Sequence, residues 1–321
     1  MQITNTQDIP FVFQVWLTSD NYDYVSGSRY VSATTLLKST KQVILGSRMN
    51  EVDVTTDLET FIARKLGDSI HEGIESAWLN NLDQSLKTLN REDLKGIFVV
   101  NPKEGTDLKN KIPVYIEQRA TKKIDGFTVG GKFDFVAGGV LHDFKSTSVW
   151  TWIKGNRADD YIKQGSIYRW LNPDKITSDF LRICYVFTDW AKKDVDKIAG
   201  YPPCKLMSKE YPLLSLEETE KMVKEKLAEL DRNWDLSEKD MPMCTDEELW
   251  RTEPVYKYYA NAAKMERATK NFSSMADAVA FRTSKGGSGV IVKVDGEPRA
   301  CGYCSAAPLC QQKRLYTKDK D

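Results

Sequence analysis

The order of helical and strand patterns predicts a mixed α/β fold. An amphipathic helix at residues 57–79 precedes a glycine-turned hairpin at 130–148. A second helix at 157–171 then precedes a continuous apolar run at 179–190, as expected for a strand buried on both faces. This order is typical of a mixed sheet covered by helices. With 321 residues, 41 % of them hydrophobic, the chain can bury one full core and carry an appended region.

The first helix has apolar residues at helical spacing, which predicts one core-facing stripe. The stripe comprises Leu58, Phe61, Ile62, Leu66, Ile70, Ile74, Ala77 and Trp78. His71 lies at its edge and is one of two histidines in the chain. A histidine in such a place is more often a structural hydrogen-bonding group than a metal ligand, so both readings stay open here.

The hairpin at 130–148 has two successive glycines, Gly138 and Gly139, at its centre. Glycine adopts the positive φ angles that a two-residue type I′ turn requires. Pairing outward from this turn sets Asp134 opposite Asp143. Cross-strand partners lie about 5 Å apart, and two carboxylates at that distance repel one another unless a cation lies between them.

Side chains alternate along a strand, so Asp134, Asp143 and Lys145 are expected on one face. A divalent metal would relieve the repulsion between the aspartates. The lysine could then position or deprotonate a water molecule, or stabilise charge that develops on a phosphate. The alternative is a surface hairpin whose carboxylates are only solvated.

Two further segments carry polar residues that suit a site. Gln164 and Tyr168 are four residues apart in the helix at 157–171 and share one of its faces. Glu117 lies in an apolar segment just before the hairpin. Taken alone, these residues fit an ordinary amphipathic helix and a surface strand equally well.

Together these residues resemble the signature of the PD-(D/E)XK nucleases, in particular the RecB-like branch. The matching positions, in order, are Gly67-x3-His71-x3-Glu75, Asp134 after a glycine pair, Asp143-Phe144-Lys145, and Gln164-x3-Tyr168. The resemblance covers residues from about 30 to about 210 and implies a restriction-endonuclease-like mixed sheet flanked by helices.

The resemblance also implies roles for these residues. His71, Asp134, Asp143 and the backbone carbonyl of Phe144 would hold Mg²⁺ or Mn²⁺, and the imidazole favours manganese. Lys145 would act on the water or the phosphate. Gln164 and Tyr168 would orient the lysine and the scissile phosphate, while Glu117 matches a glutamate often found at the head of the preceding strand.

Near the C-terminus, Cys301, Cys304 and Cys310 form a C-x2-C-x5-C pattern, and Cys244 lies upstream. Four thiolates can hold zinc or a [4Fe-4S] cluster, and three free thiols are the remaining alternative. The pattern resembles the iron-sulfur staple of AddB and the CRISPR-adaptation nucleases, which usually supply the fourth cysteine ahead of the nuclease core. The corresponding segment, residues 30–45, has no cysteine. Cys244 is therefore interpreted as the substitute, with iron-sulfur favoured slightly over zinc.

We predict a nuclease core with an N-terminal extension at residues 1–210 and a helical, cysteine-stapled extension at 211–321. The helix at 215–235 opens with a capping box formed by Ser215 and Glu218. Few apolar residues follow it, so this part is interpreted as a clamp held by its metal.

The 46 basic and 46 acidic residues give a formal net charge of zero, so DNA binding would require a local basic surface. The candidates are Arg119, Lys154 and Arg157, with Trp152 or Trp150 for base stacking. No apolar run spans a membrane and no export signal opens the sequence, so we expect a cytoplasmic protein with reduced thiols and no membrane association.

Two functions from different classes remain. The first is a metal-dependent DNA nuclease, an exonuclease or single-strand trimming enzyme of recombination or replication, similar to those of bacteriophages. It would act on single-stranded DNA or duplex ends, with a recombination or replication protein as a possible partner. The second is a non-catalytic nucleic-acid-binding or scaffold protein that retains the nuclease fold.

Overall fold

The computed structural model describes residues 2–20, 22–25, 27, 29–49 and 54–317. The chain divides into two compact units, Met1–Leu37 with Val52–Asp231, and Lys38–Glu51 with Arg232–Asp321. This division differs from the expected boundary at residue 210 in two ways. The first unit continues to Asp231, and a short segment from the N-terminal part belongs to the second unit. Neither difference has a signal in composition, because both depend on contacts between residues far apart in sequence.

The strands, in chain order, are β1 Gln2–Thr4, β2 Tyr30–Ser32, β3 Thr55–Asp57, β4 Phe98–Val100, β5 Ile112–Ile124, β6 Phe127–Ala137, β7 Val140–Thr147, β8 Phe180–Phe187, β9 Leu206–Pro212, β10 Val255–Tyr259, β11 Lys270–Phe272 and β12 Val290–Val294. The helices are α1 Phe11–Thr18, α2 Ala33–Leu36, α3 Thr40–Ser47, α4 Ile62–Asn80, α5 Leu82–Thr88, α6 Val149–Lys154, α7 Ala158–Leu171, α8 Leu216–Asn233, α9 Met275–Ser284 and α10 Gln311–Thr317.

The main sheet of the first unit has the strand order β4-β5-β6-β7-β8-β9, and β2 pairs with β6 outside this path. The β4–β5, β7–β8 and β2–β6 pairs are parallel, whereas β5–β6, β6–β7 and β8–β9 are antiparallel. Helix α7 packs on β5, β6, β8 and β9. The prediction of a mixed α/β sheet flanked by helices is confirmed.

Along one of its edges, strand β6 pairs with two different strands in succession. Strand β5 pairs with it from Phe127 to Ala137, with a gap in the ladder at Asp134. On the opposite edge, β2 pairs with residues 128–130 and β7 pairs with residues 135–137. Residues 131–134 lie between the two partners, where the backbone edge of β6 is open and side chains from other elements can approach it.

The predicted first helix corresponds to α4, preceded by a 3-10 turn at Leu58–Phe61. Its C-terminal end contributes to the core, because the Trp78 ring packs edge-on against Phe98 and Phe135. The expectation of one continuous buried stripe is wrong at the N-terminal end, where Leu66 remains 46 % exposed. Here α4 contacts α1, which is too short to cover the whole stripe.

The expectation that the 179–190 strand is buried on both faces is also wrong. In β8, Leu181, Ile183, Tyr185 and Phe187 are buried, and the alternate residues are partly exposed. The second face carries an ion pair between Arg182 and Glu210, with a nitrogen–oxygen distance of 2.5 Å. A charged pair keeps water at this face, so the apolar run reflects one buried face and one partly covered face.

In the second unit, β10 pairs with both β11 and β12 in antiparallel fashion, and α9 packs on these three strands. The strand expected after the glycine-rich segment is β12. The capping box expected ahead of α8 is present in the first unit, since Ser215 N–H donates to Glu218 at 2.8 Å and Glu218 N–H donates to Ser215 Oγ at 3.0 Å. Within the described residues, no helix is both long and apolar enough to cross a membrane.

Candidate functional site

The hairpin of β6 and β7 forms as predicted around Gly138 and Gly139, whose φ angles are +55° and +84°. The hydrogen-bonded pairs end at Phe135–His142, one pair before Asp134 and Asp143. Strand β7 pairs with β8 from Leu141 to Thr147, so it continues in the sheet on that side after its pairing with β6 has ended.

Where β6 and β7 separate, side chains replace the backbone ladder. Asp134 Oδ2 accepts a hydrogen bond from the backbone N–H of Phe144 at 2.9 Å. The carboxylate of Asp134 thus joins β6 to β7 at the point where the ladder ends. This contact with the neighbouring strand fixes the position of Asp134.

His71, Glu117 and Asp134 form a compact group of possible metal ligands. One ligand atom from each lies within 4.8 Å of the others. His71 Nδ1 is 3.6 Å from Asp134 Oδ1 and 3.8 Å from Glu117 Oε1. The other ring nitrogen, Nε2, lies 3.1 Å from the carbonyl oxygen of Phe144. The structure thus brings together four of the predicted site groups, including this carbonyl.

Glu117 has a larger place in the site than the sequence suggested. It lies within β5 rather than at its head, between Ile116, which pairs with Phe135, and Gln118, which pairs with Phe133. This register sets Glu117 opposite Asp134. Its φ angle of +51° is in the left-handed region, which non-glycine residues rarely adopt. Backbone strain of this kind often occurs at functional sites, and here it accompanies the approach of Glu117 to His71.

Asp143 is buried and lies with the predicted catalytic residues. Its Oδ2 is 2.6 Å from Lys145 Nζ. Gln164 Nε2 lies 3.5 Å from Asp143 Oδ1 and donates to Tyr168 Oη at 2.9 Å. Asp143 thus joins strand β7 to helix α7 through the amide of Gln164.

The close approach of Tyr168 to β6 depends on Gly131. A Cβ atom at this position would come within 2.8 Å of the Tyr168 ring. Any residue other than glycine would therefore push α7 away from the open edge of β6. This contact explains the second glycine of the pair that precedes Asp134.

The electrostatic environment of Asp134 opposes its ionisation. Burial, followed by the charge of Asp143, raises the pKa of Asp134 to about 7. For His71, burial lowers the pKa, but the nearby Glu117 carboxylate and the charges of Asp134 and Asp143 outweigh burial and raise it to about 9. The imidazole is therefore protonated at neutral pH in the absence of a metal, and it balances part of the acidic charge.

At Lys145 and Glu117, too, burial and the neighbouring charged groups shift the pKa in opposite directions. Burial lowers the pKa of Lys145, but the charges of Asp143 and Asp134 outweigh it and raise the pKa above its usual value. Burial raises the pKa of Glu117, but the nearby His71 imidazole and the contact with Lys132 outweigh burial and lower the pKa. Lys145 is therefore an ammonium ion and Glu117 a carboxylate at neutral pH.

Lys132 belongs to this site but was not singled out from the sequence. Its Nζ lies 2.6 Å from Glu117 Oε2. The signal was available, because Lys132 is two residues before Asp134 and side chains two apart share a strand face.

The predicted DNA-contacting residues are not gathered in one arrangement. Arg119 is engaged by the carboxylate of Asp23. Lys154 is exposed at the end of α6, and Arg157 donates to Asp160 at 3.1 Å. The ring of Trp152 packs edge-on against Tyr185 and Phe187. Trp150, which is 50 % exposed, is the more accessible of the two tryptophans considered for stacking.

Within the second unit, the four predicted thiols line one cavity of about 430 Å³ including its open mouth. The cysteines are Cys244, Cys301, Cys304 and Cys310, and none forms a disulfide. No three of these sulfurs all lie within 4.8 Å of one another, a criterion that the described residues meet only at His71, Glu117 and Asp134. Cys184 lies instead in β8 and Cys204 is exposed, so the cavity contains the cysteines that the sequence favoured.

Polar side chains hold Cys244 at this cavity. Its sulfur lies 3.2 Å from Ser39 Oγ. Gln312 accepts from the Cys244 N–H at 2.8 Å and donates to its carbonyl at 2.9 Å. Burial raises the pKa of both the Cys244 and Cys301 thiols, with neighbouring cysteines adding to the effect. Ser39 comes from the segment at 30–45 where a cysteine was sought, and the sequence did not indicate its place here.

No protein-family model matches the sequence, and no curated protein sequence matches it. Among solved structures, the chain is similar to SSO0001, with 15 % identity, 68 % of this chain and 84 % of that chain covered, and a TM-score of 0.40. It is also similar to an alkaline exonuclease from Laribacter hongkongensis, with 12 % identity, 64 % of this chain and 90 % of that chain covered, and a TM-score of 0.37. A third similar structure is a phage-related exonuclease from Haemophilus somnus 129PT, with 13 % identity, 64 % of this chain and 93 % of that chain covered, and a TM-score of 0.28. With TM-scores this low, the assignment of the site rests on its own residues.

Proposed function

We propose that this protein is a metal-dependent DNA nuclease that hydrolyses phosphodiester bonds. The observation that carries this proposal is the approach of His71, Glu117 and Asp134 to within 4.8 Å, beside a lysine held by a buried aspartate. One imidazole and two carboxylates are ligands that suit a divalent ion such as Mn²⁺ or Mg²⁺, with the imidazole favouring manganese.

His71, Glu117 and Asp134 would hold the metal, with Asp143 and the Phe144 carbonyl as neighbouring oxygen donors. The predicted set included Asp143 as a direct ligand, and its contact with Lys145 would link the lysine to the residues that hold the metal. When bound, the ion supplies Lewis-acid chemistry, polarising the phosphate and lowering the pKa of a bound water. Its charge would also replace the proton that His71 carries in the metal-free protein.

Lys145 is suited to stabilising negative charge on the phosphate. Its raised pKa keeps it protonated, and Asp143 fixes the ammonium group at 2.6 Å. A preorganised cation of this kind stabilises charge that grows in the transition state more than charge in the ground state. Proton removal from water by Lys145 would first require a lower pKa, so we assign it the electrostatic role.

Gln164 and Tyr168 are positioning residues for this lysine. Gln164 contacts both Asp143 and Tyr168, so it holds the carboxylate that in turn holds Lys145. Burial raises the pKa of Tyr168, which stays neutral and acts through its hydroxyl group as a hydrogen-bond acceptor for Gln164.

The proposed substrate is DNA, as single strands or duplex ends, and the proposed role is exonucleolytic or single-strand trimming in recombination or replication. A non-catalytic scaffold is the alternative. The direct test is incubation of the protein with end-labelled single- and double-stranded DNA and Mn²⁺, with products sized over time. Stepwise shortening is expected from an exonuclease.

Asp134→Ala should abolish this cleavage, because it removes both a ligand and the acceptor for Phe144 N–H. Asp174→Ala, in the exposed loop after α7, is the matched control and should cleave as the wild type does. Absence of cleavage by the wild type with Mn²⁺ would favour the scaffold, and full activity of Asp134→Ala would contradict the site assignment.

For the second unit, we propose that Cys244, Cys301, Cys304 and Cys310 hold one metal centre, a [4Fe-4S] cluster in preference to zinc. A zinc ion bound by thiolates at about 2.3 Å needs its sulfurs about 3.8 Å apart. A larger cluster suits more widely spaced sulfurs, as the cavity has. Burial raises the thiol pKa values, and a bound cation would offset this by favouring the thiolate form.

A further inference from the structure

Arg119 and Lys132 form a pair of cations beside the proposed metal ligands. They are direct cross-strand partners in the β5–β6 ladder. Arg119 is two residues after Glu117, and Lys132 is two residues before Asp134, so the pair lies next to the proposed ligands along both strands. The contact of Lys132 with Glu117 at 2.6 Å makes the cationic pair continuous with the proposed metal site.

The carboxylate of Asp23 engages both cations. Arg119 donates to Asp23 Oδ1 at 2.9 Å and to Oδ2 at 3.2 Å, a two-pronged contact. Lys132 Nζ is 3.7 Å from Asp23 Oδ1. Arginine binds a phosphate through the same two-pronged geometry, because both anions present two oxygens in one plane to the guanidinium group. Asp23 thus occupies the position that a phosphate would take.

The cations are held in place while the acid is exposed. Arg119 and Lys132 have side chains that are 17 % and 21 % exposed, whereas that of Asp23 is 63 % exposed. Arg119 also contacts Tyr30 Oη at 3.2 Å, and both cations lie within 5.4 Å of the Tyr22 ring centroid. An anion that arrives from solution would therefore meet prepositioned cations and an exposed competitor.

We propose that Arg119 and Lys132 bind a phosphate of the DNA backbone beside the one that is cleaved, and that Asp23 fills this position until DNA displaces it. The inference rests on the proposed nuclease function, since it names the surface that receives the substrate strand. It adds a substrate-binding role for Lys132 and a self-blocking role for Asp23.

Removal of the competing carboxylate should tighten DNA binding. A partly exposed ion pair contributes little, so we expect Asp23→Asn to lower the dissociation constant for DNA about 3- to 5-fold. Asp20→Asn is the matched control, because it makes the same change of charge in the same segment. Asp20 contacts Arg64 and Tyr24 rather than the cationic pair.

The experiment measures fluorescence anisotropy of a short labelled single-stranded oligonucleotide in EDTA, so that binding is separated from cleavage. Arg119→Gln and Lys132→Gln should each weaken DNA binding. Each should also make the plot of the logarithm of the association constant against the logarithm of the salt concentration less steep by about 0.7, as expected for one lost phosphate contact. Asp23→Glu, which keeps the carboxylate, should bind as the wild type does. Thermal unfolding of each variant checks that it is folded.

A double variant decides whether Asp23 acts through the pair. In an Arg119→Gln, Lys132→Gln background, Asp23→Asn should no longer tighten binding, because its partners are gone. The inference is overturned if Asp23→Asn binds no tighter than Asp20→Asn, or if its gain persists in that background. Failure of the nuclease proposal is distinct, since the wild type would then leave DNA intact with Mn²⁺ whatever the anisotropy shows.

Discussion

The two candidate centres differ in the scaffold that carries them. In the first unit, Glu117, Asp134 and Lys145 lie on three adjacent strands of one sheet, and the paired residues that flank them hold these strands in place. In the second unit, Cys244 lies in a loop and Cys301 in a short 3-10 turn. A sheet can hold a site in place without a ligand, whereas loops depend on the ligand for order.

The centres also differ in how charge is managed. The acids of the first site already have cationic partners in His71, Lys132 and Lys145. The thiols of the second site have polar neighbours such as Ser39 and Gln312 but share a raised pKa at Cys244 and Cys301. Loss of a charged group should therefore impair chemistry in the first site, while loss of a thiol should impair stability in the second.

Among variants that keep the proposed metal ligands, the largest effect is expected from Lys145→Ala. It should lower kcat by about 10²- to 10³-fold, because removal of one preorganised charge-stabilising group costs about 2.7–4 kcal/mol in the transition state. Binding of Mn²⁺, measured by calorimetry, should change little, and Lys145→Arg should retain part of the rate. Normal cleavage by Lys145→Ala would show that the lysine has no such role.

A smaller but structural effect is expected from Cys301→Ser. The proposed centre joins positions 244 and 301, which are 57 residues apart (301 − 244), so loss of the metal opens a long loop. We expect loss of bound metal and destabilisation of the second unit by at least about 2 kcal/mol. Metal analysis of anaerobically purified protein and limited proteolysis beyond residue 240 measure this.

The controls for the thiol prediction are Cys184→Ser and Cys204→Ser, which lie outside the cavity and should keep the metal. A brown wild-type protein would identify an iron-sulfur cluster, and about one zinc per chain would identify zinc. Iron-replete, anaerobic wild-type protein with neither metal would contradict a shared centre. The nuclease site would be unaffected, because its residues belong to the other unit.

The smallest effect is expected from Asp134→Asn, which changes the stability of the metal-free first site by removing a charge. The pKa of Asp134 is raised from 3.8 to about 7, so the folded state favours its neutral form. The stability that this provides is complete below about pH 4 and is lost as the pH rises to about 7. Asp134→Asn should therefore stabilise the metal-free protein increasingly over that range, by about 1–4 kcal/mol above pH 7.

His71 limits this gain, because its pKa is raised first by Glu117 and next by attraction to Asp134, and the substitution removes the second contribution. That contribution is present below about pH 6.5 and is lost as the pH rises through about 9. Thermal unfolding in EDTA across this pH range, with Asp174→Asn as control, measures the net change in stability from the Asp134 and His71 contributions. A variant that is less stable than the wild type at every pH would show that the Phe144 contact outweighs the charge.

Sequence patterns predicted the local elements and the residue types of both candidate centres. The Gly138-Gly139 turn, the alternation that places Asp143 and Lys145 together, and the spacing of Gln164 and Tyr168 all follow from strand and helix periodicity. The mixed sheet followed from the order of these elements. These features depend on neighbours within a few residues, which is the range over which sequence patterns act.

The contacts between groups far apart in the sequence became visible in the three-dimensional structure. The separation of β7 from β6 at Asp134, the left-handed backbone of Glu117 and the contact of Asp23 with Arg119 depend on strand pairing and on residues as much as 96 positions apart. The segment Lys38–Glu51 belongs to the second unit, and this too depends on residues far away in the sequence. Such contacts are set by the burial and pairing of whole elements, so no local pattern encodes them.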